Sequence, residues 1–115
     1  MKREVCLLVT HAGTICWSDA GLDALALPDS RARWEAIWHH REQLAEIVHS
    51  HPLGPRAFSH EDETTMAALD AALGKPLRFS VLAPDGLVVR DGGQVFFSGA
   101  SPWWAELLRL ASGMP

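Results

Sequence analysis

The chain has 115 residues, a formal net charge of -4 and 48% hydrophobic residues, which suits one globular domain with a modest core. Lys and Arg do not cluster beyond Arg31 and Arg33, so nucleic acid is not an expected partner. The apolar stretches Val5–Val9 and Ala12–Trp17 are broken by His11 and Gly13; they are too short to span a membrane and carry no signal-peptide cleavage site, so a cytoplasmic protein without membrane association is expected.

In chain order, Glu4–Thr10 and Thr14–Trp17 read as a β-hairpin turning at His11-Ala12-Gly13, and Leu22–Leu27 suggests a third short strand. Cys6 and Cys16 lie inside the two hairpin strands without CxxC spacing. They read as buried, reduced thiols; a disulfide across the hairpin is the alternative, disfavoured by a cytoplasmic setting. Pro28-Asp29 opens a helix to about Leu44, with Trp34, Ile37, Trp38 and Leu44 on one face. His39 and His40 in that helix point about 100° apart, which suits the surface or a supporting role better than a ligand pair. Ala45–Val48 then ends in β-branched residues as a short buried strand, and a helix over Glu61–Leu73 follows with Met66, Leu69, Ala72 and Leu73 at helical spacing. After the break at Gly74-Lys75-Pro76 come strands Leu77–Ala83, Leu87–Arg90 and Gln94–Ser98, separated by turns at Pro84-Asp85-Gly86 and Asp91-Gly92-Gly93. A last helix runs to Ser112, with Ser101 as N-cap, Pro102 at the first position and Gly113 as the stop. Its stripe of Trp104, Leu107, Leu108 and Ala111 needs a partner. The five tryptophans are expected mostly in the core, but Trp103 and Trp104 cannot bury both rings on one side, so one is a candidate dimer contact or substrate groove. No repeat or linker divides this α/β chain, and residues 1–115 are expected to form one domain.

The chemistry concentrates in His49–Asp62. His49 and His51, one residue apart at the end of a strand, direct both imidazoles to the same face. Pro52, Gly54 and Pro55 force the chain out of the strand. Ser59 and Asp62 have the spacing of a capping box, with Asp in place of Glu or Gln, so Ser59 is the expected N-cap and Asp62 lies in the first helical turn. From there its carboxylate can point back toward the histidines. Two histidines, a carboxylate and a water are the ligand set of catalytic zinc, whereas structural zinc is usually closed by four protein ligands.

The spacing His49-x-His51-x(7)-Ser59-x(2)-Asp62, with Pro52 after the second histidine, resembles without gaps the signature of the JAMM (MPN+, JAB-domain) zinc metalloproteases. The resemblance extends from Glu4 to about Arg90 and is strongest at this motif and at Glu4-Val5-Cys6-Leu7-Leu8-Val9, which is similar to the family's glutamate strand but lacks its Gly. It implies an α/β fold of cytidine-deaminase-like, JAB type: one domain with a mixed, mostly antiparallel sheet flanked by helices. It further implies that His49, His51 and Asp62 bind zinc, that Ser59 steadies the oxyanion, and that Glu4 is the general acid/base. Glu46 is the runner-up, but three residues before His49 it points to the opposite strand face. The family normally has a helix ahead of the glutamate strand, and here only three residues precede Glu4. The C-terminal helix is a candidate to take that place and pack on the hairpin carrying Glu4; the alternative is that it packs elsewhere.

Zinc makes hydroxide available near neutral pH, and a carboxylate base that returns its proton to an amine suits amide bonds. The expected reaction is therefore peptide or isopeptide hydrolysis. By resemblance the substrate is the Gly-Gly tail of a ubiquitin-like or sulfur-carrier protein, and the short Leu53–Phe58 loop favours a small partner of this kind. The alternatives are a non-catalytic scaffold of the same fold, whose members typically lose the ligands present here, and a zinc hydrolase with a non-peptide substrate. A cupin-type oxygenase would need a Glu soon after His-x-His, and a metallo-β-lactamase-like enzyme would need Asp-His where Leu53-Gly54 stand.

Overall fold

A computed structural model describes residues 1–25 and 27–115. Among these residues six strands form one sheet in the order β2-β1-β3-β4-β5-β6, where β1 is Val5–Thr10, β2 Ile15–Ala20, β3 Leu44–Ser50, β4 Arg78–Ala83, β5 Gly86–Asp91 and β6 Gln94–Ser98. Only β3 and β4 run parallel, and the helix α2 (His60–Leu73) lies between them in the chain, as a parallel pair requires. The other neighbours are antiparallel, and the mixed, mostly antiparallel α/β sheet agrees with expectation. At the β5–β6 turn, Gly92 and Gly93 both have positive φ, the backbone a two-residue hairpin needs and glycine adopts without strain.

Helices cover both faces of this single compact domain. On one side Cys6, Leu8, Ile47 and Phe79 pack with Ala36 and Ile37 of α1 (Arg31–His39) and with Met66 and Leu69 of α2. On the other, Val5, Leu7, Val9, Val48 and Val89 pack with Trp104, Ala105 and Leu108 of α3 (Ala105–Ser112) and its flank. Burial on both faces explains why β1 reads as a continuous apolar run and not as an alternation. The last helix does pack on β1, and also on β3 and β4. Cys6 and Cys16 are both free thiols; Cys16 occupies a bulge between Leu8 and Val9, and Cys6 faces Asp19 across the pair.

Several elements differ from the sequence expectation. The helix expected to reach Leu44 stops at His39, capped at its start by Ser30, whose hydroxyl accepts from Arg33 N. Leu44 instead opens β3 opposite Thr10, because a fully buried strand position outweighs one more helical turn. The segment Leu22–Leu25 bends without forming a strand, and Ala26 lies outside the described residues. Among the tryptophans only Trp104 is buried; Trp34, Trp38 and Trp103 are exposed, Trp38 under the guanidinium of Arg41 at 4.0 Å from the ring centroid. The last helix begins at Ala105 without a side-chain cap, because a turn from Ala105 N to Pro102 O precedes it and leaves Ser101 outside. That phase buries Trp104 and Leu108 but turns Leu107 outward, 47% exposed.

The docking of α3 predicts a contrast between neighbouring leucines. Leu108→Ala should lower the unfolding free energy by about 2–5 kcal/mol, since Leu108 is fully buried. Leu110→Ala, at an 80% exposed position, should change it by less than about 0.5 kcal/mol. Urea denaturation of the two variants reads both values, and equal effects would contradict this packing.

Candidate metal centre

Strand alternation sends His49 to the face that packs against α1 and α2, and the Cys6–His49 pairing, carried on by two residues each way, sets Glu4 opposite His51. His51 lies just past the end of β3, its backbone N held by Leu82 O at 2.9 Å. A turn closed by Gly54 N on His51 O, with Gly54 at positive φ, returns the chain over the histidine ring. There Pro55 O stands 3.0 Å from His51 Nδ1. That contact makes Nδ1 the protonated nitrogen and leaves the Nε2 lone pair free, the usual arrangement of a ligating histidine.

The expected capping box is present in full: Ser59 Oγ accepts from Asp62 N at 3.0 Å, and Ser59 N donates to Asp62 Oδ2 at 2.8 Å. The cap turns the Asp62 carboxylate toward the histidines. His49 Nε2 and His51 Nε2 are 3.2 Å apart, His49 Nε2 is 3.3 Å from Asp62 Oδ1, and His51 Nε2 is 3.6 Å from Asp62 Oδ2. Ligands bound about 2.0–2.1 Å from a tetrahedral ion stand roughly 3.3 Å from one another. The donor set therefore has the types and spacing of three corners of such a site. Glu4 is also near: its carboxylate and the two histidine nitrogens lie within 4.8 Å of one another, and Glu4, His49 and His51 could hold a metal ion.

Electrostatics separate the two carboxylates. Burial alone would raise Asp62, but hydrogen bonding and charge from His49, with the hydrogen bonds of Ser59, outweigh it and bring the carboxyl down to about 2. Burial pushes Glu4 above its ordinary value; His49 pulls against this, while Asp62 and Asp23 add to it. Burial and the neighbouring His49 lower His51, which keeps it neutral and able to ligate. Glu46 faces the other side of the sheet. It accepts from Ser80 Oγ, lies 3.5 Å from Arg78 Nε and belongs to the packing beneath α3.

Glu4, His49, His51, Ser59 and Asp62 line one cavity of about 730 Å³ whose farther walls are apolar, from Leu25, Leu27, Trp34 and Phe58. Five sequence-nominated residues thus meet in one place. Two features escaped the sequence reading: Pro55 O as the partner of His51, and Ser50, whose Oγ accepts from Val5 N at 2.9 Å. Only the turn residues around Pro55 hinted at the first; the second needed the strand pairing.

A sheet with helices on both faces, carrying at one strand end a histidine–carboxylate cluster that could hold a metal ion, defines the class as a single α/β domain. Residues 4–88 match the prokaryotic homologs of the JAB domain, and the chain belongs to that family. Comparison with curated proteins gives no match.

The cap itself can be tested apart from any chemistry. Ser59→Ala should cost about 1 kcal/mol of stability, whereas Ser59→Asn or Ser59→Asp should cost less because both cap well. Thermal unfolding distinguishes them; an Ala variant as stable as the parent would contradict the capping geometry.

Proposed function

We propose that this chain is a zinc-dependent peptidase or isopeptidase that cleaves at the C-terminal Gly-Gly tail of a ubiquitin-like or sulfur-carrier protein. The observation that carries the reading is the triangle of His49, His51 and Asp62 at tetrahedral spacing with the buried Glu4 carboxylate beside it. Family membership supports a hydrolase of this kind. His49, His51 and Asp62 would hold the zinc, leaving Glu4 as the general base. Asp62, held down to about 2, is ionised at any working pH and suits a ligand, while Glu4, raised by burial, suits a group that carries a proton.

When bound, zinc supplies Lewis-acid polarisation and makes water acidic enough to yield hydroxide near neutral pH. The chain's own groups do the rest. Glu4 takes the proton of the attacking water and returns it to the departing amine nitrogen, without which an amide leaves poorly. Ser59 Oγ accepts from Asp62 N, so its own proton is free to donate to the carbonyl oxygen as negative charge builds there, a contact worth about 3 kcal/mol in comparable sites. Pro55 O keeps the His51 ring oriented. The apolar walls of the cavity suit an extended tail with aliphatic side chains, and glycines at the scissile bond let the backbone come close to the metal.

Purified protein should carry about one zinc per chain, and His49→Ala with His51→Ala should abolish that content. Unchanged zinc in the double variant would remove the site assignment. Glu4→Gln should retain zinc but lose at least about 100-fold in hydrolysis of a fusion cleaved after Gly-Gly. Glu46→Gln should lower stability through Ser80 and Arg78 while leaving the activity of the folded protein unchanged. An active Glu4→Gln with an inactive Glu46→Gln would reverse the roles. A zinc-loaded parent that cleaves no ubiquitin-like fusion would favour a scaffold or a non-peptide substrate.

A further inference from the structure

Ser50 stands between the two histidines, yet its side chain goes to the opposite face of the sheet, where it is fully buried. Its Oγ accepts from Val5 N at 2.9 Å, and the equally buried Ser112, in the last turn of α3, donates its hydroxyl to Ser50 Oγ at 2.7 Å. These contacts lie just beyond the last β1–β3 pair, Cys6 with His49, so a side-chain oxygen takes over the tie where the strand pairing stops. Val5 is the residue after Glu4. On the other side of Glu4, Arg3 N donates to Ser112 O and Arg3 Nε to Ala111 O, each at 3.1 Å. Glu4 itself is held by Asp23 O on its N–H at 2.9 Å and by Gly21 N on its carbonyl at 2.8 Å. The residues flanking Glu4 are therefore fastened to the C-terminal turn of α3, and one of those fastenings passes through the residue that separates the metal-facing histidines.

We propose that Ser112 and Ser50 are positioning residues, and that their hydroxyl relay to the Val5 amide holds the Glu4 carboxylate at a fixed reach from His49 and His51. The inference rests on Glu4 as the general base. Neither serine touches the cavity, and neither meets substrate or metal. Their effect passes through the backbone: an unfastened Val5 lets the first strand end fray, and Glu4 moves with it. A displacement of about 1 Å at a reacting group can cost on the order of 100-fold in rate. The Ser50 hydroxyl also ties the general base and both histidines to one atom, so a shift on one side is transmitted to the other.

Ser112→Ala removes the donor but keeps the Val5–Ser50 contact, which makes it the milder variant, whereas Ser50→Ala removes both links. In zinc-loaded protein, Ser112→Ala should lower kcat roughly tenfold with KM and zinc content unchanged. It should also speed hydrogen exchange at the Val5 amide by about tenfold while α2 amides keep their protection. Ser50→Ala should do both more strongly, and Ser50→Thr, which keeps the hydroxyl, should restore them. A Ser112→Ala protein that only melts earlier, with unchanged kcat and unchanged Val5 exchange, would overturn the proposal. So would a folded Ser50→Thr protein as impaired as Ser50→Ala. Exchange requires no substrate: a parent that hydrolyses nothing would sink the general-base reading alone, and Val5 exchange would still decide whether the two hydroxyls hold the strand.

Discussion

The site depends on the antiparallel register of β1 against β3. Cys6 opposite His49 brings Glu4 and both histidines to one strand end and one face, although forty-five positions separate Glu4 from His49. A slip of one residue would turn Glu4 to the α3 side. Hydrophobic alternation cannot set this register, because β1 is apolar on both faces and either phase would bury a similar side-chain set. The polar groups at the strand ends can. Ser50 finds Val5 N and Ser112 only in this phase, while Glu46, with Ser80 and Arg78 of β4, holds β3 to its other neighbour. Leaving any of these buried groups unpaired would cost about 1–3 kcal/mol apiece. The register of an apolar strand is thus enforced by a few hydrogen bonds at its margins.

Asp62 shows how a local folding signal can serve chemistry. Its carboxylate closes the capping box through Oδ2, and with Oδ1 it meets His49. The cap fixes the start of α2 and the same bond orients the carboxylate, so the direction of the Asp62 side chain follows from the helix itself. Glu61 and Glu63 share the first turn, and their charges are favourable at a helix N-terminus. Pro55 does for His51 what Ser59 does for Asp62: a backbone or cap contact on the far side of each donor leaves its near side open.

What could be read in the sequence was whatever depends on near neighbours. His49, His51, Ser59 and Asp62 lie within fourteen residues, and alternation and capping rules act over that range. Glu4 was found only through resemblance, since nothing local distinguishes it from a solvated glutamate at a strand start. The errors arose where tertiary contacts override local pattern. The helical period that seemed to run on to Leu44 was interrupted by the pairing of Leu44 with Thr10. Of the stripe Trp34, Ile37 and Trp38, only Ile37 is buried against the sheet, together with Ala36, while both tryptophan rings stay exposed. Ser101 and Pro102 look like a helix start, yet the start is set by burying the Trp104 ring. Ser50 carries no local sign of its partners, because Val5 and Ser112 are distant in sequence.

Two carboxylates, the buried Glu4 and the partly buried Glu46, begin under the same kind of penalty, and burial raises both above their ordinary values. Their neighbours then separate them. Glu46 is met by Ser80, Arg78 and Trp104, groups that draw it back down and commit it to holding the sheet against α3. Glu4 receives its fastening through the backbone, at its own N–H and carbonyl and at the adjacent Val5 amide. Its carboxylate is left to line the cavity, facing His49 in favour of charge and Asp62 and Asp23 against it. A carboxylate tied by its side chain is a structural part; one tied only by its main chain is fixed in place while its oxygens stay available. That difference in attachment is what makes Glu4, and not Glu46, suited to the general-base role proposed for it.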